Sequence, residues 1–271
     1  MHFSPATKLT AIFGNPVKHS LSPLLHNAIY EREKIDAVML AFAHADVAPL
    51  VAAQRSLPIH LAAVTMPHKQ TIMPLLDEID ATAKAIGAVN TVVNRGGKLI
   101  GYNTDVVGIS KALGQVRLAE ANVLLVGAGG AARCVAFHLK EAGAHIFCTN
   151  RDEGQARELV AAFGGTFVAT GDLARTSYDV IVNATPIGMA PDHEGLPVDA
   201  SLIRSGAAVF DLVYAPLETG LLRAAKEKGA TTISGLTMFL EQGIEQERLW
   251  LQRDIESAAY APVLEKAVRE R

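Results

Sequence analysis

Apolar and polar positions along this chain change period from block to block. Between Leu9 and Tyr102, short apolar runs at Thr10–Phe13, Ala37–Phe42, His60–Thr65, Val89–Val93 and Leu99–Tyr102 are separated by stretches of helical spacing, a rhythm that predicts α/β structure. In LSPLLHNAIYEREK, Leu21, Leu25, Ala28 and Ile29 recur at helical spacing. Ser22 stands where a cap is wanted and Pro23 at the first helical position, so an amphipathic helix is expected.

A second α/β unit opens at ANVLLVGAGGAARCVAFHLKEAGAHIFCTNR. A strand over Val123–Val126, a glycine-rich turn, a helix carrying Ala132, Val135, Ala136 and Leu139, and a second apolar run make one βαβ unit. Val180–Val182, Ala208–Leu212 and Thr231–Ile233 continue a parallel-strand pattern that closes near Gly235. LTMFLEQGIEQERLWLQRD and APVLEKAVRER then read as helices following a completed sheet, and are expected to pack back on the first unit. The expected organisation is an α/β domain over residues 1–104 joined by helices from 237–271, and a doubly wound, Rossmann-like domain over 105–236.

Bulk properties narrow the class. A length of 271 residues favours two domains, and 49% apolar with 20% charged residues suits a globular enzyme. A net charge of −3 without a run of Lys or Arg gives no footprint for nucleic acid. Cys134 and Cys148 read as buried and reduced. No stretch approaches the roughly 20 apolar residues that span a bilayer, and MHFSPATKLT lacks the basic start and apolar centre of a signal peptide. A cytoplasmic monomer or homodimer with a small-molecule substrate is the expectation.

Gly127, Gly129 and Gly130 follow a strand and open a helix, where glycine permits a tight turn and close approach of backbone to a pyrophosphate. The glycines could instead serve only tight strand-to-helix packing, or bind S-adenosylmethionine or flavin. At the end of the second strand, where an acidic residue would select NAD, the chain reads Thr149, Asn150, Arg151, which favours a 2′-phosphate and hence NADP. Asp152 counts the other way, so NAD stays open as the alternative cofactor.

Polar groups gather near strand ends in GNPVKHSLSPLLHN, VTMPHK, GAVNTVV and GYNTD, and a ligand crevice at the carboxyl ends of the strands is expected from them. A hydride transfer to a ketone needs a proton for the developing alkoxide, and a Lys and Asp in contact supply and tune one. Lys69 and Asp105 are the candidates. Each also has an ordinary reading, Lys69 following a proline-containing loop and Asp105 capping the helix DVVGISKAL. His19, His26 and His68 have no carboxylate at ligand spacing, and no metal site is expected.

Together with GAGGAAR, NATPIGM (Asn183–Met189), DLVYAPLETGLL (Asp211–Leu222) and GLTMFLEQG (Gly235–Gly243), these blocks run in order from Gly14 to Gln246 and resemble the shikimate dehydrogenase family. The resemblance implies that the domain over residues 1–104 is the substrate domain, and that the reaction is reversible NADPH-dependent reduction of 3-dehydroshikimate to shikimate. It places the substrate carboxylate on Ser20 and Ser22, its hydroxyls on Thr65, Asn90 and Gln242, and Lys69, Asp105 and Tyr214 beside the reacting oxygen. It places the dinucleotide on Gly127, Ala128, Gly129, Gly130 and Ala131, on Asn150 and Arg151, and on Thr185, Leu212, Gly235 and Met238. Two positions depart from the family pattern. Ala63 stands where an Asn is usual, and Gln155 where a second phosphate-binding cation often follows. A paralogue acting on quinate, aminoshikimate or a related ring acid is therefore the nearest alternative, and a catalytically silent NADP-binding sensor a more distant one. A folate dehydrogenase is disfavoured by the Ser20, Ser22 and Asp105 blocks.

Overall fold

The computed structural model describes residues 4–190 and 195–270. Residues 1–3 of the stretch judged for a signal peptide, and residue 271 of the expected C-terminal helices, lie outside the described residues. The described chain divides into two compact units, one running through Asp105 together with Leu240–Leu264, the other Val106–Phe239 with the chain end from Glu265.

In the first unit the elements are β1 (Lys8–Gly14), α1 (Ser22–Arg32), β2 (Ala37–Ala43), α2 (Ala48–Ser56), β3 (Ile59–Val64), β4 (Glu78–Ile79), α3 (Ala81–Ile86), β5 (Thr91–Arg95) and β6 (Lys98–Tyr102). Their sheet has the order β2-β1-β3-β5-β6-β4. β1, β2 and β3 are mutually parallel, as are β4 and β6, but β5 runs antiparallel to both of its neighbours. Strand side chains alternate between faces, and β1 displays this. Ala11 and Phe13 join Leu50 and Val51 of α2 and Ala83 of α3 in one core cluster, whereas Thr10 turns its hydroxyl to Tyr30 of α1. Both faces are covered, which is why the central strands are apolar nearly throughout.

The second unit contains α4 (Asp105–Leu113) from Val106 on, β7 (Asn122–Val126), α5 (Gly130–Glu141), β8 (His145–Thr149), α6 (Glu153–Phe163), β9 (Thr166–Phe167), β10 (Val180–Asn183), β11 (Ala208–Asp211), α7 (Gly220–Glu227), β12 (Thr231–Ser234) and the start of α8 (Gly235–Leu251). A last helix, α9 (Ala261–Arg269), follows. Every strand pair of the sheet β12-β11-β10-β7-β8-β9 is parallel, and the order reverses between β7 and β10. That doubly wound arrangement puts its switch point at the carboxyl ends of β7 and β10, the place where open α/β sheets receive ligands. Leu124, Ile181 and Val209 pack against Leu221, Leu222 and Ala225 of α7 to form the core on one face. Cys134 and Cys148 are buried and not joined in a disulfide, and burial pushes the Cys148 thiol up to about 12. Among the described residues no helix is long and apolar enough to cross a membrane.

Candidate functional site

The candidate catalytic pair is assembled by the first sheet. β1, β3 and β6 deliver their carboxyl ends to one edge, and the reversed β5 brings its amino end to the same edge. The ladder fixes the result: Ala63 lies opposite Thr91, and Thr91 opposite Tyr102. The residue before β5, Asn90, is therefore flanked by the end of β3 and the end of β6. Its backbone accepts from Val64 N at 2.7 Å and donates to Tyr102 O at 3.0 Å.

The Asn90 carboxamide is the hub. Its Oδ1 accepts from Thr104 N at 2.7 Å, and because a backbone N–H can only donate, the orientation of the amide is determined. Nδ2 then faces Asp105 Oδ1 at 2.8 Å, Thr104 Oγ1 at 2.9 Å and Gln242 Oε1 at 3.3 Å. Asp105 is the first residue of α4, and Asn103 Oδ1 accepts from its N–H at 3.1 Å. The expected capping role of Asp105 thus falls to Asn103, and the Asp105 carboxylate is turned elsewhere. Its Oδ2 accepts from Lys69 Nζ at 2.5 Å, with the Asp side chain 5% and the Lys side chain 17% exposed.

Lys69 is held by a turn after β3. His68 N donates to Thr65 O, Ile72 N to His68 O, and Val89 N to Lys69 O at 2.7 Å, tying the lysine backbone to the strand start beside Asn90. The buried His68 ring donates from Nε2 to His44 O at 2.9 Å, a structural role. Thr65 N donates to Phe13 O, and a Cβ on Gly14 would stand 2.3 Å from Thr65 Cγ2, so Gly14 is required for β1 to end against Thr65. Farther along that loop, Ser20 Oγ accepts from Ser22 N at 3.1 Å. Ser22 was the expected cap, but it begins α1, and the N-cap position falls to Leu21 with no side-chain capping bond. Ala63 lies in a small buried cluster with Ile12 and Val17, an apolar wall where an amide was expected from the family pattern.

The nucleotide candidates lie along the carboxyl edge of the second sheet. Gly127, at φ +112°, donates its N–H to Thr149 O, and a Cβ there would meet Ala184 O and Thr185 Cγ2 at 3.1 Å. Ala128 is buried, Gly129 has open space around its missing side chain, and Gly130 and Ala131 begin the 12-residue helix α5. This is a backbone cradle leading into a helix N-terminus, which carries the partial positive charge that suits a pyrophosphate. After β8, Asn150 Nδ2 donates to Asp152 O, and the exposed Arg151 follows. Asp152 is the N-cap of α6, its Oδ1 accepting from Gln155 N at 3.3 Å, which gives that acidic residue a structural purpose. After β10 comes Thr185, half-buried, and after β11 comes Leu212, whose carbonyl oxygen would be 2.2 Å from a Cβ on Gly235. Met238 packs on α4, where a Cβ on Gly108 would meet its carbonyl oxygen at 2.4 Å. Tyr214 stacks on Phe239 with ring centroids 4.6 Å apart.

The structure thus brings Lys69, Asp105, Asn90 and Gln242 into one bonded cluster, with Thr65, Ser20 and Ser22 on the neighbouring strand end and loop of the same unit. Sequence reading missed Thr104 and Asn103, although GYNTD was singled out, because nothing in the spacing says which of three small polar residues bonds which strand. It also missed Gln246, whose Nε2 donates to Asn90 O at 3.3 Å, and the buried Glu247, whose Oε1 bonds His26 Nδ1 at 2.5 Å and Tyr30 OH at 2.7 Å. A carboxylate so far along the chain from its histidine leaves no signal in local spacing. Among the described residues no group of three or more His, Cys, Asp and Glu side chains is placed to hold a metal ion.

Known proteins are similar to this chain over most of its length. Residues 12–92 match the family model described as shikimate dehydrogenase substrate binding domain, and residues 109–189 the one described as shikimate / quinate 5-dehydrogenase. A Bacillus anthracis protein named shikimate dehydrogenase (NADP(+)) is 42% identical over 255 residues, spanning 90% of this chain and 92% of the relative. A solved shikimate 5-dehydrogenase from Thermus thermophilus, in complex with NADP(H) and shikimate, superposes with a TM-score of 0.86 at 34% identity, over 97% of this chain and 99% of that one. The ligand-free 5-ketofructose reductase of Gluconobacter sp. strain CHM43 also matches, with a TM-score of 0.83 at 33% identity over 97% and 100% of the two chains.

Proposed function

This chain belongs to the shikimate dehydrogenase family, and on that premise we propose that it interconverts 3-dehydroshikimate and shikimate with NADP. The observation that carries the reading is the Lys69–Asp105 contact at 2.5 Å, oriented by Asn90 at the carboxyl edge of the first sheet. In this reading the first unit binds the substrate and the second the dinucleotide. Residues 127–131, Asn150, Arg151, Thr185, Leu212, Gly235 and Met238 would hold NADP, and the glycine cradle, whose backbone a Cβ at 127 would crowd, supports that fit. When bound, the nicotinamide supplies or receives the hydride. Gln155 in α6 leaves Arg151 as the cation proposed for the 2′-phosphate.

The chain's own residues manage the proton. Reduction of a ketone builds negative charge on its oxygen, and Lys69 Nζ is the acid proposed to donate to that oxygen. Asp105 orients the ammonium and, in the oxidation direction, is linked to it for proton removal. Asn90, itself bonded to Gln242, holds Asp105 in register, and the two amides offer polar atoms to the ring hydroxyls with Thr65. Ser20 and Ser22 are proposed to take the carboxylate, and Tyr214 to lie beside the reacting carbon. The cytoplasm is the proposed compartment, which two buried thiols outside any disulfide suit, and a monomer or homodimer the proposed state, with no nucleic-acid partner.

The test is a substrate panel. With purified chain, kcat/KM for shikimate with NADP is expected to exceed that for quinate, aminoshikimate and ketofructose-type substrates, and that for shikimate with NAD. Ala63 makes the panel informative. A preference for any other ring acid or keto sugar would replace the substrate assignment, and no turnover of any would remove the enzyme reading.

A further inference from the structure

Beneath the nucleotide candidates of the second unit lies a polar cluster that the proposed chemistry does not use. Asn183 and Asp211 are the last residues of β10 and β11, register partners on adjacent strands, and both are fully buried. Asn183 Oδ1 accepts from Thr185 N at 3.0 Å and Thr185 Oγ1 at 2.6 Å, while its Nδ2 donates to Ile187 O at 3.1 Å and Asp211 Oδ1 at 2.9 Å. Asp211 Oδ1 also accepts from Val213 N at 3.0 Å, and Oδ2 from Thr219 Oγ1 at 2.6 Å. Thr219, itself buried, caps α7 by accepting from Leu222 N at 3.3 Å.

A buried carboxylate is costly unless its acceptor positions are filled, so its presence calls for an account. Here three donors from three segments converge on it. One comes through Asn183 from the 183–189 turn, one from the backbone that leads to Tyr214, and one from the cap of α7. Asn183 O accepts from Leu212 N at 3.0 Å, Thr185 lies against the space a Cβ on Gly127 would need, and Leu212 O lies against Gly235. Gly127, Thr185, Leu212 and Gly235, all proposed to hold NADP, are thus set by backbone that Asn183 and Asp211 fix, although neither side chain faces outward.

We infer that Asp211, acting through Asn183 and Thr219, is a positioning residue for the dinucleotide: it holds the Thr185 turn and the Leu212–Val213 backbone in one frame. An acceptor-only group is required, because an amide at 211 would set a donor against one of three donors. The inference rests on the NADP reading given above.

The experiment measures the NADPH dissociation constant of the purified full chain directly, by quenching of protein fluorescence or calorimetry, beside steady-state constants. Asp211→Asn and Thr219→Val are each expected to weaken NADPH binding by about tenfold, the size of one lost hydrogen bond to a charged group. Thr219→Ser keeps the hydroxyl and should bind within about twofold of wild type. The KM for shikimate at saturating NADP should hold within about twofold in all three, since the proposed substrate groups bonded to Asn90 are not in this cluster. If Asp211→Asn does not fold, the Thr219→Val and Thr219→Ser pair decides alone. Unchanged NADPH binding in Thr219→Val, or equal losses toward both ligands, would overturn the inference while the wild type stays active. A wild-type chain that binds no NADPH would instead overturn the functional reading, and this inference with it.

Discussion

At Asn90 one carboxamide bonds Thr91, Thr104, Asp105 and Gln242, and the arrangement tells which residues would fail separately. Asn90→Ala would strip Thr104 N and Asp105 of partners at a buried place, so a loss of about 1–3 kcal/mol in urea unfolding is expected together with a fall in kcat. Lys69→Ala should lower kcat for shikimate oxidation by roughly 10²- to 10⁴-fold, the usual range for a positioned acid or base, with NADPH binding unchanged. Unaltered oxidation in that variant would remove Lys69 from the chemistry. These two residues differ in how far the sequence disclosed them. Lys69 and Asp105 could be named from their blocks, but an isolated Lys after a turn and an Asp at a helix start have local uses, and it is the 2.5 Å contact that supports the catalytic reading proposed above. Ser22 illustrates the reverse, since a sound local rule named a capping hydroxyl for a helix whose N-cap is Leu21.

Elements were more legible than bonds. The apolar runs and helical blocks located the main strands and helices, because burial on both faces of a central sheet leaves its strands apolar nearly throughout. What they could not carry was direction. β5 is as apolar as its neighbours, and nothing in Val92 and Val93 says that the strand runs backwards; the signal lay instead in Gly96 and Gly97 between two apolar runs, where both residues take positive φ and close a tight hairpin. Within the first unit, α8 from Leu240 on is anchored to α1 by Glu247, whose partners His26 and Tyr30 are also buried. Burial first, and then the neighbouring Glu247, hold the Tyr30 hydroxyl well above its usual pKa. Glu247→Ala leaves two buried polar groups without their acceptor, and a loss of about 3–5 kcal/mol is expected from chemical denaturation. A loss below about 1 kcal/mol would mean that water replaces the carboxylate, as it does for groups near the surface.

For the whole molecule, the buried Asp211 ties stability to pH. Burial raises its pKa above the usual 3.8, against the lowering pull of Thr219, the Val213 N–H and Asn183. The folded chain therefore keeps this proton to higher pH than the unfolded chain. The contribution is fully present below 3.8 and is lost as pH rises through the elevated folded value. Because Asp211→Asn does not titrate, the stability of wild type minus that of the variant should decline as pH rises from about 4 and then level off. Urea midpoints across that range check it, and a constant difference would reject the shift. Ligand linkage gives a second whole-chain measure: NADPH at about a hundred times its dissociation constant should add roughly 2.7 kcal/mol to unfolding, more than NADH at equal concentration. The reversed strand has one further bearing, on which changes of length the chain can absorb. The Arg95–Lys98 turn sets the register that brings Asn90 alongside the end of β6. Adding one residue within either strand would turn Asn90 toward the opposite face relative to Asp105. An insertion that touches no polar residue would then silence the proposed catalytic pair, while the same insertion in an exposed connecting loop should pass unnoticed.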